Sequence, residues 1–326
     1  FHGNNKGQDE LKQALEWGVG RIVVDNFHEL ALLGRLAREQ GKTQDILLRL
    51  SPGVDPHTHA YISTGILDSK FGFPITTGQA EEAVAKAIST PSLNLVGLHS
   101  HLGSSLFEVK PYIEAIDIVL QFAAQMGQEH RFEMQELNVG GGFAVQYMVD
   151  TPAPPISYYA EAITSALVEM TRKHRLDQPR LVIEPGRSIV AQAGTAIYRI
   201  GSAKDIPGLR KYVFVDGGMA DNIRPALYDS KYEAIVANKI GEPETEVVTI
   251  AGKFCESGDI LIKDVRLPEL EAGDILAMPT SGAYAIPMAS NYNASLRPAV
   301  VMVKEGKARL IRRRETHEDL LGRELP

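Results

Sequence analysis

The sequence predicts an α/β fold: a TIM-like (β/α)8 barrel that is incomplete at its N-terminus, followed by a C-terminal β domain. As far as about residue 193, short apolar runs alternate with amphipathic segments, which is typical of parallel strands joined by helices. Polar or glycine-rich residues follow nearly every predicted strand, and a β/α barrel carries its active site at those strand ends. After residue 193, helical periodicity fades and strand patterns predominate.

Strand–helix pairs make up the first part of the chain. The predicted strands are Arg21–Val24, Ile46–Leu50, Leu95–His99, Leu137–Val139 and Leu181–Ile183. The predicted helices are Leu11–Trp17, Phe27–Gln40, Thr77–Ser89, Val109–Met126 and Ile156–His174. A complete barrel takes about 250 residues, so these pairs do not close one. Because Phe1 leads straight into the turn residues Gly3-Asn4-Asn5, we expect a fragment that lacks the first part of the barrel.

The second part reads as a β domain with Gly, Pro and Asp turns. Its predicted strands are Thr195–Ile200, Tyr212–Val215, Glu246–Ile250, Asp259–Val265, Asp274–Met278 and Ala299–Val303. We therefore predict a partial barrel over residues 1–193 and a β-rich domain over residues 194–326. The polar segments Lys231–Glu246 and Pro279–Ser295 are predicted to be irregular, and such long loops often serve function.

Composition excludes several classes of protein. A net charge of −7 argues against a nucleic-acid platform. The absence of a long apolar run argues against a membrane-spanning helix. The chain has one cysteine, so it cannot form an intrachain disulfide, and we expect a reducing, cytoplasmic setting.

Two motifs at predicted strand ends suit an anionic, aromatic ligand. Gly140–Gly142 lets backbone N–H groups approach an anion, although a flexible turn is equally consistent with three glycines. Glu184 can hold a protonated ring nitrogen, and Arg187 can bind a carboxylate or phosphate through two hydrogen bonds. A structural ion pair between such residues remains the alternative.

Two histidines near a predicted strand end could bind a metal or stack on an aromatic ligand. His99 and His101 share one face of a strand, so both could ligate a metal, but the sequence shows no third ligand. We therefore predict no metal, a stacking role for His101 and a phosphate contact for Ser104. His57 and His59 are predicted to be loop residues.

Cys255 and its neighbour Glu256 stand in a turn between two predicted strands. A lone cysteine is most often a small buried hydrophobic residue, whereas a neutral thiol beside a carboxylate can donate a proton. Arg224 and Tyr228, four residues apart, could form a second clamp for a carboxylate, or lie in a solvated loop.

Taken together, seven ordered motifs closely resemble the diaminopimelate decarboxylase family. They are Asp68–Phe73, His99–Ser104, Gly140–Phe143, Glu184–Arg187, Asp216–Tyr228, Cys255–Asp259 and Gly282–Tyr284. The resemblance implies an alanine-racemase-like barrel with a β domain, pyridoxal phosphate as cofactor, and conversion of meso-diaminopimelate to L-lysine and CO₂. It also implies a homodimer with active sites at the subunit interface.

The resemblance also implies a role for each residue. The expected cofactor-binding residues are His101, Ser104, Gly141, Gly142, Glu184, Gly186, Arg187 and Tyr284. The expected substrate-binding residues are Arg187, Arg224, Tyr228, Glu256 and Tyr284. Cys255 is expected to donate a proton, reaching in from the second subunit.

The sequence departs from the family pattern at the Schiff-base lysine. In the family this lysine lies on the first barrel strand, so it is expected upstream of Phe1. Lys6 and Lys70 do not match its motif, so the chain is expected to be inactive alone. The alternatives are an ornithine- or arginine-type decarboxylase, whose cysteine motif lacks the adjoining glutamate, a non-catalytic pyridoxal-phosphate-binding fragment, and an inert partner subunit.

Overall fold

The computed structural model describes residues 1–54 and 69–325. The chain forms two compact units. The first comprises Phe1–Ala144 and Ala153–Gly186, and the second comprises Val145–Pro152 and Arg187–Pro326. The division after Gly186 lies a few residues before the boundary predicted near residue 193. His57 and His59 lie outside the described residues.

Parallel strands make up the sheet of the first unit. They are β1 (Ile22–Val24), β2 (Gln44–Ser51), β3 (Phe73–Pro74), β4 (Leu93–His99), β5 (Glu136–Asn138) and β6 (Arg180–Val182). The main ladder runs β1-β2-β4-β5-β6, and β3 pairs with β2. All of these pairings are parallel. The predicted strands are thus confirmed, and β3 was missed because only two residues pair.

Helices follow the strands in the predicted order. They are α1 (Gln8–Glu16), α2 (Phe27–Glu39), α3 (Gln79–Ile88), α4 (Lys110–His130) and α5 (Ile156–His174). Helix α2 illustrates the local signals, because the Asn26 side chain accepts a hydrogen bond from the Glu29 N–H and so caps the first turn. Apolar residues at helical spacing then pack on the sheet, among them Leu30, Leu33 and Leu36.

Residues before α1 run beside β1. The N–H of Val23 donates to the Phe1 carbonyl at 2.9 Å, and the Phe1 amino group donates to the Arg21 carbonyl at 2.6 Å. Lys6, whose side chain is only 1% exposed, anchors this segment. Its ammonium donates to the carbonyls of Gly3 and Val23 and to Glu29 Oε1. These contacts fix the segment that carries His2.

The second unit is predominantly β-structure. Its strands are β7 (Ala196–Ile206), β8 (Arg210–Val215), β9 (Ile235–Val236), β10 (Glu246–Ala251), β11 (Ile260–Leu267), β12 (Ile275–Met278), β13 (Val300–Lys304) and β14 (Lys307–Arg312). One sheet has the order β11-β10-β8-β7-β12-β9, and β13 and β14 form a hairpin. The parallel sheet with helices in the first unit and the β-structure of the second confirm the predicted fold class, an α/β barrel sheet with a C-terminal β domain.

Short helices lie where the sequence predicted none, and two of these turns fall in the segment Pro279–Ser295 that was predicted to be irregular. They are α6 (Arg187–Val190), α7 (Arg224–Tyr228), α8 (Ala285–Met288) and α9 (His317–Leu321), with a 3₁₀ turn at Tyr292–Ala294. Only a few residues long, they show no periodicity that sequence reasoning could detect. Among the described helices, none is long and apolar enough to cross a membrane.

Candidate active site

Glu184 is the centre of a polar cluster in the first unit, just after β6. His2 Nε2 lies 2.8 Å from Glu184 Oε1, and Asn138 Nδ2 donates to the same oxygen at 2.8 Å. On the other side, His99 Nε2 lies 3.5 Å from Glu184 Oε2. Three side chains from different parts of the first unit therefore converge on one carboxylate.

The charge states of this cluster follow from burial and from these contacts. Burial alone would raise the pKa of Glu184, but the close contacts with His2 and His99 outweigh it and hold that pKa far below its ordinary value. Burial lowers the pKa of His99 to about 4, and it lowers the pKa of His101 to about 4 as well. At neutral pH the carboxylate of Glu184 is therefore ionised, and the rings of His99 and His101 are neutral.

A third potential ligand beside His99 emerges only in the folded chain. The ligand atoms of His2, His99 and Glu184 lie within 4.8 Å of one another. The sequence had paired His99 with His101 instead. No spacing rule links residues 2, 99 and 184, so only folding could reveal this group.

The Gly140–Gly142 loop packs backbone against backbone with the neighbouring strand ends. A Cβ atom added at Gly141 would lie 2.1 Å from the Glu184 carbonyl oxygen, and one at Gly142 would lie 2.3 Å from the Gly103 carbonyl oxygen. Gly142 also has φ 103°, which L side chains rarely adopt. The loop therefore requires glycine at both positions.

His101 contacts this glycine loop directly. The Gly141 N–H donates to His101 Nδ1 at 3.2 Å, so this nitrogen is the acceptor of a neutral ring. Ser104 lies in the turn that follows β4, and Gly186 is the exposed last residue of the first unit. The first unit thus groups His101, Gly141, Gly142 and Glu184 by hydrogen bonds or backbone packing.

Two buried arginines meet in the second unit. Arg187 Nη1 donates to Tyr147 Oη at 2.7 Å, and Arg224 Nη1 donates to the same oxygen at 3.0 Å. Arg224 Nη1 also donates to Tyr232 Oη at 3.0 Å. Among the described residues, no carboxylate lies within 4.0 Å of a guanidinium nitrogen of Arg224. Such a buried cation is suited to bind an anion.

Tyr284 completes this arginine cluster. Its ring centroid lies 4.8 Å from Arg187 Cζ and 5.5 Å from Arg224 Cζ. Tyr284 has φ 66°, a costly conformation for a bulky residue. Close packing upstream positions it: the Gly282 N–H donates to the Ala191 carbonyl at 2.9 Å.

A rigid turn holds Cys255 and Glu256 in the second unit. The buried carboxylate of Asp259 accepts hydrogen bonds from the Phe254 N–H at 2.9 Å and the Met219 N–H at 2.6 Å. Both Cys255 and Glu256 are exposed, and Cys255 Sγ lies 3.7 Å from Glu256 Oε1. The thiol is therefore not the small buried hydrophobic residue that a lone cysteine most often is.

Comparison with known proteins decides the family. Residues 1–191 match the family model described as "Pyridoxal-dependent decarboxylase, pyridoxal binding domain". Over 326 residues the chain is 48% identical to the diaminopimelate decarboxylase of Bacillus subtilis, covering 100% of the chain and 74% of that relative. The chain belongs to the diaminopimelate decarboxylase family.

Solved structures of diaminopimelate decarboxylases share the fold. One from M. jannaschii, in complex with L-lysine, has a TM-score of 0.91 and 37% identity, over 99% of this chain and 74% of that one. Another from Helicobacter pylori, also complexed with L-lysine, has a TM-score of 0.88 and 34% identity, over 98% and 76%. The family assignment also confirms pyridoxal phosphate as the cofactor.

The first-unit cluster fits the cofactor of a diaminopimelate decarboxylase. The ionised Glu184 suits a protonated pyridine nitrogen, and the neutral, flat ring of His101 suits stacking. The glycine loop leaves no room for side chains. Lys6 is not suited to form a covalent link, since its ammonium is buried and donates to three oxygens.

Sequence reasoning missed some of the residues in these clusters. Tyr147, Tyr232, His2 and Asn138 join the clusters above, and the hydrogen bonds of Arg224 go to Tyr147 and Tyr232. Tyr228 ends the short helix α7. An aromatic residue in the segment after the glycine loop was the one signal for Tyr147, and it was too weak to use.

Proposed function

We propose that the chain carries out the pyridoxal-phosphate-dependent decarboxylation of meso-diaminopimelate to L-lysine and CO₂. One observation carries the choice of substrate: Glu256 Oε1 lies 3.7 Å from the thiol of Cys255. A carboxylate at this position gives the distal amine of the substrate a partner beside the proton donor. The Bacillus subtilis relative is named diaminopimelate decarboxylase. Two similar structures of diaminopimelate decarboxylases contain bound L-lysine.

The first-unit cluster holds the cofactor in this proposal. When bound, pyridoxal phosphate supplies an electron sink for the pair released by the breaking C–C bond. Glu184 keeps the pyridine nitrogen protonated, because its own pKa is held low. His101 would stack on the ring, while Ser104 and the backbone of Gly141, Gly142, Gly186 and Arg187 would hold the phosphate. Tyr284 lies against the cofactor as well.

The arginine cluster of the second unit binds the distal carboxylate of the substrate. The Arg187 and Arg224 side chains are buried, which strengthens an ion pair with a carboxylate. Tyr147 orients both guanidiniums through one shared hydrogen bond acceptor. Tyr284 borders the same position, and Tyr228 is proposed as a further contact.

Cys255 donates the proton that replaces CO₂, and Glu256 binds the distal ammonium. Both residues are exposed on the chain, which suits a homodimer in which they complete the active site of the partner subunit. A single cysteine suits a reducing compartment, and we propose a cytoplasmic location.

A substrate comparison tests this function. The full-length protein with pyridoxal phosphate is supplied with meso-diaminopimelate, ornithine or arginine at equal concentration, and released CO₂ is measured. We expect turnover of meso-diaminopimelate alone, with L-lysine as product. Faster turnover of ornithine or arginine would favour the second decarboxylase class, and cofactor binding without turnover would favour a non-catalytic protein.

A further inference from the structure

The loop Ser290–Ser295 places two polar side chains against Cys255 and Glu256. Tyr292 Oη donates a hydrogen bond to Glu256 Oε1. Asn293 Nδ2 donates to Cys255 Sγ at 3.4 Å, and Tyr292 Oη lies 3.8 Å from the same sulfur. We call Cys255, Glu256, Tyr292 and Asn293 the thiol cluster. All four belong to the second unit, and each contacts at least one other.

This loop is held in place from both ends. Asn291 Nδ2 donates to the Ser295 carbonyl at 2.9 Å and to Glu315 Oε2 at 2.6 Å. The Ser290 N–H donates to the Ala220 carbonyl at 2.9 Å. A loop fixed in this way presents Tyr292 and Asn293 to the thiol with little loss of conformational freedom.

Backbone strain is concentrated at the same loop. Asn293 has φ 51° and Ala294 has φ 56°, so two successive residues are left-handed. Alanine rarely adopts this conformation, and strained residues often mark functional positions. Here the conformation accompanies the contact between Asn293 and the thiol.

The opposing turn is fixed independently. The Asp259 carboxylate accepts hydrogen bonds from the Phe254 and Met219 N–H groups. The Phe254 ring also packs on the Tyr292 ring, with centroids 5.9 Å apart. The thiol cluster therefore joins two rigid loops through side chains alone. Replacing one polar atom in it leaves the ring packing and both backbones intact.

We propose that Tyr292 and Asn293 are positioning residues for the decarboxylation, with Tyr292 orienting the Glu256 carboxylate and Asn293 orienting the Cys255 thiol. This inference rests on the proposed function, which assigns the distal ammonium to Glu256 and the proton to Cys255. Tyr292 occupies one carboxylate oxygen and leaves the other for the ammonium. Asn293 donates to the sulfur, so the S–H proton points away from the amide.

Each residue is expected to affect a different kinetic constant. Tyr292→Phe in the full-length holoenzyme keeps the ring and removes the hydroxyl, so KM for meso-diaminopimelate rises about 3- to 10-fold while kcat changes less than about twofold. Asn293→Gly removes the amide and still adopts the left-handed conformation, so we expect kcat to fall about 3- to 10-fold with little change in KM. Tyr158→Phe, on helix α5 in the first unit, is the matched control and leaves both constants unchanged.

A double-mutant cycle separates positioning from general damage. In the Glu256→Gln background, Tyr292→Phe adds no further increase in KM, because its effect passes through the carboxylate. Additive effects of the two substitutions, or an unchanged KM in Tyr292→Phe alone, would overturn the role of Tyr292. An unchanged kcat in Asn293→Gly would overturn the role of Asn293.

Failure of the proposed function gives a different result. If Glu256→Gln leaves KM unchanged, the assignment of the distal ammonium fails, and the role of Tyr292 fails with it. If Glu256→Gln raises KM but Tyr292→Phe does not, only the present inference fails. The dissociation constant of L-lysine, measured by calorimetry on the same variants, compares their binding affinities in the absence of turnover. An equal constant in wild type and Tyr292→Phe would contradict the role of Tyr292.

Discussion

Arg187 and Arg224 donate to one acceptor, the Tyr147 hydroxyl, at 2.7 and 3.0 Å. The two residues are far apart in sequence, yet both guanidiniums are buried and border the ring of Tyr284. Two cations share one neutral acceptor here, and an arriving carboxylate would offset their mutual repulsion. This relationship underlies the proposed recognition of the substrate carboxylate.

Replacing Arg224 by lysine tests that recognition. Lysine keeps the charge but loses the planar fork that binds a carboxylate with two hydrogen bonds, so we expect KM for meso-diaminopimelate to rise about tenfold or more. Steady-state kinetics of the full-length protein measure it. Arg210→Lys, at the start of β8, is the matched control. Equal KM values for the two variants would contradict the role of Arg224.

The buried ion pair between Lys6 and Glu29 makes a prediction about stability. The two side chains are 1% and 2% exposed, and Lys6 Nζ lies 2.6 Å from Glu29 Oε1. Lys6→Met leaves a buried carboxylate without its cation, which costs about 3–5 kcal/mol of unfolding free energy. Urea unfolding measures the loss.

Two further variants control this prediction. The double variant Lys6→Met/Glu29→Leu removes both charges and should be less destabilised than Lys6→Met alone. Lys86→Met breaks an exposed pair with Glu82, and we expect a cost of about 0.5 kcal/mol or less. A loss for Lys6→Met as small as that for Lys86→Met would show that the buried pair does not stabilise the fold.

Stability is expected to fall as pH drops below about 6.5. Burial lowers the pKa of His99 to about 4, against an ordinary value of 6.5. Between these values the unfolded chain binds a proton at His99 that the folded chain does not, so the unfolding free energy decreases as pH falls. His101 acts in the same direction, as does Glu184, whose pKa is also lowered.

Urea unfolding at pH 7 and pH 5 measures this effect, which amounts to about 2 kcal/mol from His99 alone. His99→Asn should show a shallower dependence on pH, whereas the exposed His317→Asn should behave like wild type. Identical midpoints for wild type at the two pH values would show that the buried imidazoles do not titrate as described.

Much of the fold could be predicted from the sequence, because hydrophobic periodicity persists over long segments. Helix α5 spans Ile156–His174 as predicted, and the strands of the first sheet lie within a few residues of their expected positions. Two-residue strands such as β3 and β9 were missed, since pairing of that length depends on neighbours rather than on local pattern. The same limit applies to the one-turn helix α7.

The candidate site could be predicted only in part, because some of its residues lie in short segments without a sequence pattern. His101, the glycines and Glu184 follow predicted strands, so topology alone brought them together. Tyr147 lies in a short segment, Val145–Pro152, that joins the second unit, and nothing in its sequence signals the contact with the arginines. Tyr292 was likewise hidden, because its role depends on a loop geometry with left-handed residues.

The most direct test of the proposed mechanism is the turnover of Cys255→Ala in the full-length protein. Binding of pyridoxal phosphate, followed by its absorbance, should match wild type, whereas L-lysine formation from meso-diaminopimelate should fall by about 100-fold or more. Turnover equal to that of wild type would remove the thiol from the chemistry and contradict the account.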